Sequence, residues 1–201
     1  AKICVGIGTT TEGNIADYFA VNGMTYEAVN SDDAATAKAQ FEDGSCDAWT
    51  GDMSAMVAQK FGLDTEKVPN SAIMPELLSK EPLAAATRDN DDDWNDVVTW
   101  VWFGMLTAEE LEITSANYAD ADTTIPAVDR LLNSNLGLGT EANPLSDTWM
   151  QSVLAAVGNY EEAYTESFCT YDDSGDCLID RAGSLNAPYW DGGLQYAPPM
   201  R

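Results

Sequence analysis

The stretch Ile3-Cys4-Val5-Gly6-Ile7-Gly8-Thr9-Thr10-Thr11-Glu12 decides the fold. Ile3, Val5 and Ile7 alternate like a strand with one buried face, Gly8 interrupts the alternation, and Thr9 to Glu12 have the spacing of a capping box that opens a helix. That helix carries Ile15, Tyr18 and Phe19 on one face and stops near Asn22-Gly23. Outward from it the pattern repeats: a strand over 26–29, an Ala-rich helix capped by Ser31 and ending between Phe41 and Gly44, a short strand over 47–50, and a helix over 53–61 closed by Gly62. Strand and helix alternating at this spacing predict a parallel sheet with right-handed crossovers, an α/β lobe.

From Leu77 the pattern changes. Residues 79–82 read as a connection, 83–87 as a short strand, and the acidic run 89–93 as a solvated turn before the most strongly periodic segment in the chain. Its stripe of Trp94, Val97, Val98, Val101, Trp102 and Met105 calls for a large apolar partner. Thr107 to Glu110 has the form of a second capping box, and 129–132 and 149–168 read as helices. The longer one has Trp149, Val153, Val157, Tyr160 and Tyr164 as its apolar positions. The tail after Gly183 is irregular, and no internal repeat or low-complexity tract occurs. The expected division is 1–79 and 80–201.

Composition narrows the functional classes. Among 201 residues, 9 Lys and Arg face 34 Asp and Glu, for a net charge of −25. Phosphate-backbone affinity needs clustered bases, so a nucleic-acid partner is excluded, and an anionic membrane surface repels the chain. The simplest reading of the charge is a solvated acidic surface from a marine or halophilic source, and the competing one is an acidic face that recruits a basic partner. No apolar run approaches the roughly 18 residues of a membrane span, and residues 1–5 lack a signal-peptide layout, so a soluble chain, mature or truncated, is expected. With no histidine, the Ser-His-Asp, Cys-His and Cys/His-zinc routes are closed, and an enzyme is the least supported class. Four cysteines allow three pairings, and the proximity of Cys169 and Cys177 favours a local bond; the set reads as two disulfides in an oxidising compartment.

A strand that runs into Gly-Thr-Thr-Thr at a helix start is a physical anion site, with free N–H groups, the positive dipole end and hydroxyls converging on one point. The plain alternative is that Thr9 only caps its helix. Asp52, just past the strand over 47–50, belongs to the same carboxyl edge of the sheet, where open α/β sheets bind ligands. A carboxylate beside an anion-binding helix end suits a zwitterion, with the α-carboxylate on Thr9, Thr10 and Thr11 and the α-ammonium on Asp52. The alternative for Asp52 is a solvated turn residue.

The motifs Ile3-Cys4-Val5, Gly8-Thr9-Thr10-Thr11-Glu12, Ala16-Asp17-Tyr18-Phe19, Gly44-Ser45-Cys46-Asp47 and Ser79-Lys80-Glu81-Pro82-Leu83 resemble the general L-amino-acid-binding proteins of bacterial ABC importers, which are type II periplasmic binding proteins. So do Ile73 to Glu76, Gly183 to Asn186 and the ending Gly192-Gly193-Leu194-Gln195-Tyr196-Ala197-Pro198-Pro199. The resemblance implies a Cys4–Cys46 disulfide, Thr10 N–H on the ligand α-carboxylate and Asp52 on its α-ammonium. It starts partway into the family sequence. The fold it implies is therefore one nearly complete parallel-sheet lobe (1–79, the second lobe) plus the C-terminal, mostly helical part of the first (80–201). The part without a counterpart normally carries the arginine of the carboxylate clamp, and Arg88, Arg130, Arg181 and Arg201 do not match that motif. The implied function is an extracytoplasmic solute-binding protein, periplasmic or extracellular, with an L-amino acid and importer membrane subunits as partners. The missing N-terminal segment, or another chain, would cover the Trp94–Met105 face, because ten bare large side chains would forgo roughly 1.5–3 kcal/mol each. The alternative function is a structural or interaction protein assembling through that surface.

Asp172, Ser174, Asp176 and Asp180 occupy positions 1, 3, 5 and 9 of an EF-hand-like loop, although Cys177 replaces the turn glycine and Gly183 the bidentate glutamate. No cofactor is required, and Ca2+ is the one candidate. The alternative is an acidic turn pinned by Cys169 and Cys177.

Overall fold

In the computed structural model, which describes residues 1–80, 82–169 and 176–201, the first strand is the centre of a three-stranded parallel sheet. β1 (Lys2–Gly6) pairs on one side with β2 (Glu27–Ser31) and on the other with β3 (Ala48–Trp49), giving the order β2-β1-β3. Alternation along β1 sets both faces. Ile3 and Val5 pack on Ile15 of α1 (Thr10–Val21), with Phe19, Tyr26 and Leu78 around them. Cys4, fully buried, points the other way and is bonded to Cys46. Gln40 of α2 (Ala34–Glu42) stands over that bond, its Oε1 3.8 Å from Cys4 Sγ and accepting from Ser31 Oγ at 2.6 Å. The two crossover helices therefore cover opposite faces, as right-handed connections require when the chain reverses direction across the sheet. α3 (Met53–Phe61) follows β3.

Two caps differ from expectation. Ser31 does not cap α2: it is the last residue of β2, buried against Gln40, and the Asp33 carboxylate accepts from Thr36 N at 2.7 Å instead. The α1 box is displaced by one residue. Thr9 Oγ1 accepts from Glu12 N, whereas the Glu12 carboxylate reaches back to Gly8 N at 2.7 Å, a turn made possible by a left-handed Gly8 (φ +69°).

The structure divides into two compact units, Ala1–Leu83 and Ala84–Arg201. Residues 83–87, at the boundary, form no strand, and in the second unit α4 (Asp92–Glu110) continues through Thr107, whose Oγ1 donates back to Phe103 O, so the expected capping box there is ordinary helix interior. α5 (Pro126–Asn133) starts three residues before the predicted segment. The single helix expected over 149–168 is two, α6 (Trp149–Val157) and α7 (Tyr160–Phe168). They part at Gly158, in a backbone region open only to glycine (φ +74°, ψ −163°), where a Cβ would meet the Glu162 side chain. Asn159 and Glu162 then make a full capping box for α7.

These helices share a core of their own, in which Leu131, Leu132, Met150, Leu154 and Ala108 are essentially buried. That corrects the expectation of bare helix faces: Val97, Met105, Trp149 and Tyr164 all find cover inside this unit. What stays open from the α4 stripe is Trp94, 55% exposed, and Trp102, 43% exposed even though its ring meets Tyr160 edge to face with centroids 4.8 Å apart.

The α7 cap has a pH signature. Burial pushes the Glu162 carboxyl up, but the bonds it accepts from Ser115 Oγ (2.6 Å), Asn159 N and Ser115 N outweigh this and hold it below the usual 4.5. A depressed carboxylate stabilises the fold fully above its unfolded value and loses that contribution as pH falls through its folded one. The stability difference between the protein and Glu162→Gln is thus expected to be constant above about pH 5 and to vanish in acid; denaturant melts at several pH values check it, and a pH-independent difference would refute it.

Candidate functional site: the β1/β3 carboxyl edge

The order β2-β1-β3 contains a topological switch. The chain leaves β1 toward one side of the sheet and returns across it to β3 on the other, so the loops after β1 and β3 part and leave a crevice at the carboxyl edge. Ile7 N donating to Ser31 O and Thr50 N to Cys4 O, both at 3.0 Å, carry the ladder to its end, and the sequence-predicted residues follow directly. Thr9 is the N-cap of α1, Thr10 and Thr11 are its first two residues, and Asp52 is the N-cap of α3. Two helix starts therefore flank one crevice, on strands that are immediate neighbours.

The donors can be counted. Thr10 and Thr11 N–H lie in the first turn of α1 and have no carbonyl four residues back within the helix. Glu12 N is taken by Thr9, Gly8 N by the Glu12 carboxylate, and Thr9 Oγ1 donates to Gly6 O at 2.7 Å. The amides of Thr10 and Thr11 are thus the donors of this helix start that no partner within the helix takes. Asp52 contributes the opposite group: it is exposed, and unlike Thr9 and Asp33 its side chain makes no capping hydrogen bond. A carboxylate at a helix start that is not spent on the helix is available to a cation.

The remaining predicted residues divide. Both disulfides, Cys4–Cys46 and Cys169–Cys177, are present. Asp172 and Ser174 lie outside the described residues; Asp176 and Asp180 lie within them and are exposed, and among the described residues no group of three or more acidic or sulfur side chains is placed to hold a metal. Arg181 has a place that its sequence context did not disclose. Its guanidinium makes two bonds to the Glu109 carboxylate, at 2.6 and 2.9 Å, and lies 4.7 Å from the Tyr160 ring centroid. The partners are 72 positions apart, so no local spacing signals the pair. A cavity of about 430 Å³ in the first unit is lined by Lys60, Thr65, Val68 and Asn70 rather than by Thr9 or Asp52. Among the described residues no helix is long and apolar enough to cross a membrane.

No family model matches the chain. Over its whole length it is 39% identical to a glutamate/glutamine/aspartate/asparagine-binding protein, BztA, of Rhodobacter capsulatus and 38% identical to a general L-amino acid-binding periplasmic protein, AapJ, of Rhizobium johnstonii. It spans 58% of the length of each. Among solved structures, an ABC transporter/periplasmic binding protein from Brucella ovis with glutathione bound matches all of this chain and 61% of its own, with a TM-score of 0.85 and 38% identity. The fold is accordingly part of an α/β periplasmic-binding-protein fold.

Proposed function

We propose, from the premise that the homologues of this chain are amino-acid-binding periplasmic proteins of ABC transporters and that it corresponds to a part of them, that its first unit grips the head group of an amino acid. The α-carboxylate would sit on the Thr10 and Thr11 amides and the hydroxyls of Thr9 to Thr11, and the α-ammonium on Asp52. The observation that carries this reading is the uncommitted Asp52 carboxylate across a two-strand crevice from the α1 start. The ligands named for the relatives share that head group, and glutathione carries it on its glutamyl end. The bound solute would pass to the membrane subunits of an ABC importer. Trp94 and Trp102 would be covered by further polypeptide, and the protein would work in the periplasm.

Asp52→Ala is expected to weaken binding of a free amino acid by ten- to a hundredfold, the roughly 1.5–3 kcal/mol of one hydrogen bond to a charged group. Isothermal calorimetry on a binding-competent sample measures it, with Asp52→Asn keeping the shape and losing the charge. Equal affinity in all three forms would take Asp52 out of the site.

Two secondary proposals rest on composition and spacing: calcium at Asp172, Ser174, Asp176 and Asp180, and a salty source behind the −25 charge. Melting temperatures test both. Millimolar calcium should raise the value more than magnesium, and molar salt should raise it further by screening; equal responses to the two divalent ions remove the first proposal, and indifference to salt the second.

A further inference from the structure

The end of β1 and the first turn of α1 are tied by a connected set of bonds. Thr9 Oγ1 donates to Gly6 O at 2.7 Å and accepts from Glu12 N at 3.3 Å, while the Glu12 carboxylate accepts from Gly8 N at 2.7 Å. The fit is close at one end of this loop, where a Cβ on Gly6 would lie 3.2 Å from Thr9 Cγ2, and open in its middle, where a Cβ on Gly8 would meet nothing within 4 Å. Gly8 stands between the last ladder bond, Ile7 N to Ser31 O, and the helix cap at Thr9, in a left-handed conformation (φ +69°). Glycine has the widest backbone freedom of any residue, so the bond from its N–H to Glu12 fixes the joint. In an ordinary capping box the carboxylate takes the N-cap N–H itself. Here it is spent one residue earlier, and the half-buried Glu12 side chain is committed to the loop while the Thr10 and Thr11 amides stay untaken within the helix.

We propose that Glu12 is a positioning residue for ligand binding: by latching Gly8 it fixes the direction in which the α1 start presents the Thr10 and Thr11 amides to a ligand carboxylate. This rests on the reading of that helix start as the seat of the amino-acid head group. With Gly8 free to turn, the loop and the helix start behind it would sample several orientations, and a ligand would have to order them at a cost in affinity. Position, not charge, is the part Glu12 plays. A second carboxylate beside a bound anion opposes it, so any benefit to binding comes through the bond that Glu12 accepts. Glutamine offers the same acceptor oxygen without the charge and separates the two effects.

Titration of the 201-residue chain with L-glutamine, which the Rhodobacter capsulatus relative is named for binding, tests this when followed by the amide resonances of Thr10 and Thr11. Glu12→Ala is expected to weaken binding about three- to tenfold, the worth of one hydrogen bond, and Glu12→Gln to rescue it at least to the level of the unaltered chain. A merely stabilising cap would lower the melting temperature of Glu12→Ala and leave the affinity of the folded chain unchanged, so melts of each variant accompany the titrations. Unchanged affinity in Glu12→Ala, or a Glu12→Gln as weak as Glu12→Ala, would overturn the proposal. Asp52→Asn separates it from the reading on which it rests. Weaker binding in Asp52→Asn with none lost in Glu12→Ala counts against the latch alone, whereas L-glutamine that moves neither amide in the unaltered chain removes the head-group seat and the latch together.

Discussion

Replacing Cys4 and Cys46 by alanine is expected to cost the Ala1–Leu83 unit roughly 4 kcal/mol, the chain-entropy value for a loop closed over a separation of 42. The cost falls on a small structure. Its buried cluster is Ile3, Val5 and Ile15 with Phe19, Tyr26 and Leu78 at the margin, while domains commonly hold only about 5–15 kcal/mol in all. The same bond ties the central strand covalently to the residues just before β3, so losing it also loosens the ground under Asp52. By the same estimate Cys169–Cys177, with a separation of 8, contributes roughly 2.5 kcal/mol. Adding a reductant should therefore melt the first unit at lower temperature than the second, read by hydrogen exchange or limited proteolysis along the chain. A first unit as resistant reduced as oxidised would refute this.

Arg181→Met is expected to destabilise the second unit by about 3–5 kcal/mol, because it strands the Glu109 carboxylate. The Glu109 side chain is only 8% exposed and that of Arg181 13%, so water does not replace the lost partner. The guanidinium also donates Nε to Asn186 O at 2.8 Å and lies against Tyr160, joining α4, α7 and the 181–196 tail through one group. Removing both charges, Arg181→Met with Glu109→Met, should recover much of the loss, since an apolar pair of similar volume substitutes for a buried ion pair at little cost. Calorimetric melts of the single and double variants decide it, and a double variant no more stable than Arg181→Met would show that the cost lies in lost packing rather than in the stranded charge.

The first unit was legible in the sequence because its signals are local. Alternation at Ile3, Val5 and Ile7, a capping threonine and a closing glycine act over a few residues, and the helix over 53–61 was placed to the residue. The Ser31 misreading shows the limit. Three candidate caps stand in a row at Ser31, Asp32 and Asp33, and only the long-range contact with Gln40 decides that Ser31 belongs to the strand. In the second unit the helical stripe runs unbroken through 149–168, and the one glycine that breaks it is not by itself a stop; its positive φ and the Asn159–Glu162 box make it one. Of the candidate site, Thr9 to Thr11 and Asp52 could be placed at one sheet edge from strand order alone, but Glu12's hold on Gly8 could not, because the reach of a carboxylate depends on a turn that only the folded loop defines.

The two-residue length of β3 bears on the order of events in time. β1 meets β3 only at Ile3 with Ala48 and Cys4 with Trp49, across a sequence separation of 45, whereas β1 and β2 zip along five positions around the helix between them. Closing the longer loop carries more entropy and returns fewer contacts, so in the reduced chain, before Cys4 and Cys46 are joined, the β1–α1–β2 segment is expected to form early and β3 to dock late. Asp52 rides on that last arrival: in the reduced chain the edge it belongs to is expected to reach its final shape only when the smallest strand settles, and the Cys4–Cys46 bond removes that delay by tying the entry to β3 to the central strand beforehand.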